Sequence, residues 1–353
     1  MPHFPPEILS KIFSHIKATS QDPDLDLLAA AFVCTLWFAE AWPLVRQDPF
    51  QDRSLVLCYR SDKQLLRTSL LALSLQYGLV QCDHLESIEI HQELNYVRDR
   101  DVLHAMAAAI YQVVRHKPPG LRRVKIHPIN YYQSYLNYYA SPAEIIELLD
   151  VIFPPGEEAT ITELTIDSSN DVAVHLLERL GPTLRDVSIH GFQFDAPLLE
   201  ALGRCSDLEC LSASGGSIPR PGPRRAPPGA VATLAAALPN LTSLKVSVSN
   251  WDGSQRVSND QLREIVTWLP DLKHLQVGVD FTVNTECLRF VMRHAKRMEE
   301  FKLVGCRNNL GDGVWTKDDV GWRGLRRIQL SGTLSISRSL LRLLHQECPK
   351  FNK

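Results

Sequence analysis

A chain of 353 residues with 44% apolar content and a formal net charge of -2 can bury a sizeable core and has no global pull toward nucleic acid or acidic membranes. No charged-then-apolar leader opens the sequence, and the uncharged run Leu27 to Ala39 is too short to span a bilayer, so the expectation is a soluble protein of the cytoplasm or nucleus. Eight cysteines without a Cys-x-x-Cys pair predict reduced, mostly buried thiols rather than a disulfide frame or a zinc site.

The first predicted element is a helix. Pro5-Pro6-Glu7 presets the first turn and places a carboxylate at the positive end of the helix dipole, and Ile8, Leu9, Ile12, Phe13 and Ile16 follow at helical spacing. A second run carries Leu27, Leu28, Ala31, Phe32, Val33, Leu36, Trp37, Phe38 and Trp42 before Pro43. That is more apolar surface than so short a module can hide, so its surplus should pack on the following domain or on a partner. The pattern Phe4-Pro5-Pro6-Glu7-Ile8-Leu9, then Ile12-Phe13, then Val33-Cys34 with Trp37, resembles the F-box, with Phe4 where leucine is usual, Thr35 where Lys or Arg is common and a longer connection from Lys17 to Asp26. The resemblance implies docking on the Skp adaptor of a Skp-cullin-F-box ubiquitin ligase through Phe4, Pro5, Ile8, Leu9, Ile12, Val33, Cys34 and Trp37. An ordinary helical cap on a repeat array is the other reading of the same residues.

After a strand-like Leu55-Val56-Leu57, an apolar-x-x-apolar-x-apolar frame recurs nine times: Leu85/Ile88/Ile90, Leu121/Val124/Ile126, Ile161/Leu164/Ile166, Leu184/Val187/Ile189, Leu208/Leu211/Ala213, Leu241/Leu244/Val246, Leu272/Leu275/Val277, Met298/Phe301/Leu303 and Leu325/Ile328/Leu330. Successive frames start 23 to 40 residues apart. Helical patterns lie between them, at Val102 to Val114, Ala143 to Ile152, Leu262/Ile265/Val266/Leu269, Leu288/Val291/Met292/Ala295 and Leu340 to Leu344, two of them opening with the capping boxes Ser141/Glu144 and Ser258/Gln261. Strand, helix, strand at this period predicts an α/β fold with a parallel sheet on one side and helices on the other. It resembles long leucine-rich repeats, without the asparagine that usually follows the strand, and the resemblance implies a solenoid with strands on the concave and helices on the convex side. A doubly wound sheet would require a Gly-rich phosphate turn, and none is present. The expected domains are a helical module at 1–50 and an irregular solenoid at 51–353, with insertions at 128–141 and 215–230.

With frame positions 1, 4 and 6 inward, positions 2, 3, 5 and 7 face outward, and opposite charges fall side by side: Glu89 with Lys125, Arg123 with Glu163, Lys273 with Glu299 and then Arg326, and Glu300 with Arg327. Position 7 reads His91, His127, Asp167 and His190, a recognition stripe for a bound protein or simply solvated side chains. The first insertion carries Tyr132 and Tyr139 among five tyrosines, which if exposed would form a contact patch; Tyr131, Tyr135 and Tyr138 share the spacing of an inward helical face. The second, Ser217 to Gly229, is rich in Pro and Arg and reads as a flexible surface loop or as a partner or phosphate contact.

No nucleophile elbow, metalloprotease helix or phosphate-binding loop is present. The expectation is a non-catalytic adaptor that needs no cofactor or metal, its partners the Skp adaptor with a cullin-RING ligase and a protein substrate, with no nucleic-acid, membrane or small-molecule partner. The alternative is a leucine-rich-repeat interaction scaffold without a ubiquitin role.

Overall fold

The computed structural model describes residues 5–20, 26–27, 29–30, 41, 53–57, 62–76, 84–91, 96–127, 140–192, 194–215, 229–248, 256–279, 283–306, 315–332 and 337–351. Phe4, Val33, Cys34, Trp37, Tyr132 and Tyr139, and nearly all of both insertions, lie outside the described residues. The chain divides into two compact units, one of Met1–Arg122, Tyr132–Ala140 and Glu147–Ala159, the other of Arg123–Tyr131, Ser141–Ile146 and Thr160–Lys353.

In the first unit, helix α1 (Pro6–Thr19) precedes strand β1 (Ser54–Leu57), helix α2 (Asp62–Gln76), strand β2 (Ser87–His91) and helix α3 (Tyr96–Arg115). β1 and β2 are parallel, in the register Leu55 to Ile88 and Leu57 to Ile90, and α2 packs beside α3. Leu103, Met106, Ile110 and Val113 make the buried stripe of α3 at the spacing its sequence displays.

The second unit carries β3 (Arg123–His127), β4 (Glu163–Asp167), β5 (Asp186–Phe192), β6 (Cys210–Gly215), β7 (Ser243–Val248), β8 (His274–Gly278), β9 (Glu300–Cys306) and β10 (Arg327–Gly332), each parallel to the next and paired in chain order. Helices α5 (Asn170–Leu180), α6 (Ala196–Gly203), α7 (Ala230–Ala237), α8 (Asn259–Trp268) and α9 (Thr285–His294) alternate with the strands and pack neighbour on neighbour, and α10 (Arg338–Glu347) follows β10; α4 (Pro142–Ile152) is divided between the two units after Ile146. Strict chain order, with no reversal, separates this leucine-rich-repeat-like solenoid from a doubly wound sheet.

The physical unit is the frame read from the sequence. Positions 1, 4 and 6 are buried in every repeat from Leu85 to Leu303. At β10 only Leu325 is fully buried, while Ile328 and Leu330 are half-buried. Two backbone motifs propagate the repeat. The position-1 amide donates to the carbonyl three residues earlier, as in Leu241 to Leu238 at 3.2 Å and Leu272 to Leu269 at 3.2 Å, which accounts for the Leu-Pro-x-Leu junctions. The position-2 carbonyl then accepts from two amides of the next repeat: Thr242 takes Lys273 at 2.7 Å and His274 at 3.1 Å, and Lys273 takes Glu299 at 2.7 Å and Glu300 at 2.9 Å.

Both expected capping boxes form. The Glu144 amide donates to Ser141 Oγ at 3.3 Å and the Ser141 amide to Glu144 Oε2 at 2.5 Å; Ser258 and Gln261 do the same at 3.3 and 3.0 Å. Of the free thiols among the described residues, Cys205, Cys287 and Cys348 are buried and Cys210 is intermediate. Burial pushes Cys205 up to about 12 and Cys348 up to about 11, so both are inert protonated thiols at neutral pH.

One glycine is fixed by close approach. The Gly321 amide donates to the Met292 carbonyl at 3.1 Å, and a Cβ there would stand 2.6 Å from that same oxygen. Gly321→Ala is therefore expected to force α9 and the loop before β10 apart at a cost of about 1–3 kcal/mol, visible as a lower urea midpoint with native-like circular dichroism.

Candidate protein-binding surfaces

Helix α1 starts as its sequence predicts: Pro5 is extended, and its carbonyl accepts from Ile8 at 3.0 Å and Leu9 at 3.2 Å. The helix then divides its apolar residues between two stripes. Leu9 and Phe13, both 0% exposed, pack with Leu27, Ala30 and Ala41, with Ile16 against the cluster. Ile8 and Ile12, one turn apart, are 45% and 37% exposed, and Pro5 is exposed beside them. Of the expected docking residues, Pro5, Ile8 and Ile12 thus lie on the surface, while Leu9 is a core residue of the module: it sits one position round the helix from Ile8, on the side facing Leu27.

The outward sheet positions are polar and half-exposed. In the first unit, Ser54 Oγ lies 2.8 Å from Ser87 Oγ and donates to Glu89 Oε1 at 3.1 Å, with His91 half-buried at the end of β2. In the second unit, Arg123 Nε donates to Glu163 Oε2 at 2.6 Å, forming the pair read from the sequence. Glu163 is in register with Asp186, whose carboxyl is pushed up by burial and by Glu163, against the pull of Arg123 and Lys245. Arg326 pairs with Glu299 at 3.2 Å as expected. Lys273 and Arg327 form no ion pair among the described residues: Glu299 is held by Arg326, and Glu300 lies 3.6 Å from His274. Register alone did not decide these partners, because one carboxylate has several basic neighbours within reach.

His127 and Asp167 are half-buried at the ends of β3 and β4, His190 is half-buried within β5, and Asp167 is in register with His190. The His190 ring is held by serines, Nε2 3.3 Å from Ser188 Oγ and Nδ1 2.6 Å from Ser214 Oγ, which fixes its orientation on the face.

A second site, not singled out from the sequence, lies across β7 to β10. A hollow of about 250 Å³ is lined by Lys245, His274, Gln276, Glu300, Lys302, Arg327 and Gln329, with the strands at Leu275 and Phe301 beneath, whose side chains are buried in the core. Lys245, Gln276, Lys302 and Gln329 are consecutive partners in the strand register, so they form one row across four strands. All four occupy frame position 5; reading that column instead of position 7 would have found them.

The chain finds no match among family models and none among curated proteins. Among solved structures it is similar to an internalin (inlF) from Listeria monocytogenes, at 13% identity over 76% of this chain and 67% of that one with a TM-score of 0.39. It is also similar to the Rad7 and Elc1 complex of yeast, at 12% identity over 80% of this chain and 77% of that one with a TM-score of 0.36. The functional reading therefore rests on this chain's own residues.

Proposed function

We propose that the chain is a non-catalytic adaptor of the F-box class, whose N-terminal helix docks on a Skp adaptor and whose repeats hold a protein for ubiquitin transfer by other subunits of a cullin-RING ligase. The observation that carries this reading is the split face of α1: Leu9 and Phe13 complete the module's own core, which leaves Ile8 and Ile12 in solvent at i, i+4. An isoleucine pair one turn apart is the kind of anchor a helical partner receives in a groove, and burying the part of each that is still exposed contributes about 1 kcal/mol. The polar outer face of the strands supports a recognition role for the repeats, since it offers charged and hydrogen-bonding groups at fixed spacing.

The test is co-expression with the Skp adaptor and affinity capture. Wild type should co-purify as a stable complex, and Ile8→Asp with Ile12→Asp should weaken it at least about thirtyfold, the effect of about 2 kcal/mol. Both positions face solvent, so circular dichroism of the variant should be unchanged; Leu9 is unsuitable because its replacement would unfold the module. Absent binding by wild type, or undiminished binding by the folded double variant, would leave a repeat scaffold without a ubiquitin role.

A further inference from the structure

We infer that the hollow across β7 to β10 binds a carboxylate-bearing, extended segment of a partner protein. The inference rests on the reading of the repeats as a protein-binding surface and is independent of docking through α1. Three cations, Lys245, Lys302 and Arg327, line this hollow, and none of them makes a side-chain hydrogen bond or an ion pair among the described residues. The one carboxylate there, Glu300, lies 3.6 Å from His274. Asp186, on β5, acts on Lys245 from two strands away without pairing with it. In a chain of net charge -2, the hollow is a local excess of positive charge.

Geometry favours a peptide over other anions. Lys245 and Lys302 stand two strands apart in one row, roughly 9–10 Å at ordinary strand spacing, with Gln276 between them and Gln329 beyond. A polyproline-II segment repeats its side-chain direction every three residues, about 9.3 Å, so carboxylates at i and i+3 match the two lysines. The two glutamine amides can donate to and accept from the solvated backbone of such a segment, whose own groups are unpaired. No aromatic side chain projects from the row to stack a nucleotide base, which counts against single-stranded nucleic acid.

The test is fluorescence anisotropy of the full chain with a labelled peptide of (Glu-Pro-Ser) repeats, beside a phosphoserine peptide lacking glutamate and a single-stranded RNA oligomer. Wild type should bind the glutamate peptide with affinity that falls as salt rises. The triple variant Lys245→Glu, Lys302→Glu, Arg327→Glu should bind at least tenfold more weakly, while Lys296→Glu with Arg338→Glu, exposed cations outside the hollow, should match wild type. If the triple variant folds poorly, Glu300→Gln supplies the opposite sign, a two- to threefold gain. No binding by wild type, equal binding by wild type and the folded triple variant, or binding of only the phosphoserine peptide or the RNA would overturn the inference. Retained adaptor capture by the triple variant would confine that failure to the hollow.

Discussion

Phe301→Ala will lower the stability of the C-terminal repeats by about 3–5 kcal/mol, the usual effect of deleting a buried aromatic side chain. Phe301 is 1% exposed on β9, in register with Leu275 on one side and Ile328 on the other. Its ring packs at 4.9 Å between centroids and 50° against Trp322, which is 0% exposed in the segment leading to β10. Truncation therefore opens a cavity bounded by three strands and the buried indole, while Cys348 Sγ donates to the Trp322 backbone carbonyl at 2.9 Å. Repeat proteins couple mainly to nearest neighbours, so the loss should fall on β8 to β10 before it spreads. Urea unfolding followed by circular dichroism reads it, since Trp322 is one of six tryptophans and does not alone set the fluorescence. A midpoint shift worth less than about 1 kcal/mol would mean that the site collapses around the missing ring.

Removing the Asp319 carboxylate is the second large effect, expected at about 3 kcal/mol for Asp319→Ala. Asp319 lies in a short 3-10 turn, Lys317–Asp319, with its side chain 4% exposed. Its Oδ2 accepts from the Thr316 amide at 2.9 Å and the Thr316 hydroxyl at 3.1 Å, and Oδ1 accepts from Arg293 Nη2 at 2.5 Å, with Arg289 3.8 Å away. The carboxylate thus ties the loop before β10 to two arginines of α9. Burial alone would push its pKa up, but the Thr316 hydrogen bonds and the Arg293 guanidinium outweigh that and hold it below the ordinary carboxylate value. A depressed folded-state pKa contributes stability that is fully present above the unfolded value, about 3.9, and lost as pH falls through the lower folded value. Wild type should therefore lose stability below about pH 4 more steeply than Asp319→Asn, while the variant is the weaker of the two at pH 7. Parallel pH profiles for the two proteins would show that the carboxylate is not the titrating tie.

The repeats were legible because each strand carries a local signal that tertiary structure does not override. A frame with apolar positions 1, 4 and 6 can bury one face of a strand in only one register, and the capping boxes at Ser141 and Ser258 set where α4 and α8 start. Asp319 gave no such signal, since a short turn in a loop has no period. Nor did Trp322, which lies outside the frame and joins the core only because Phe301 comes to it.

The candidate surfaces divide along the same line. The order of strands, the polar outer positions and an apolar surplus on α1 follow from residue spacing alone, because helical and strand periods are properties of a single segment. Which stripe of α1 turns inward, Leu9 and Phe13 rather than Ile8 and Ile12, depends on where Leu27, Ala30 and Ala41 arrive. The row of Lys245, Gln276, Lys302 and Gln329 likewise exists only once four strands separated by whole helices fall into register. Charge at a single position is a property of the sequence; the field of several cations in one hollow is a property of the distances between them, and those the fold alone sets.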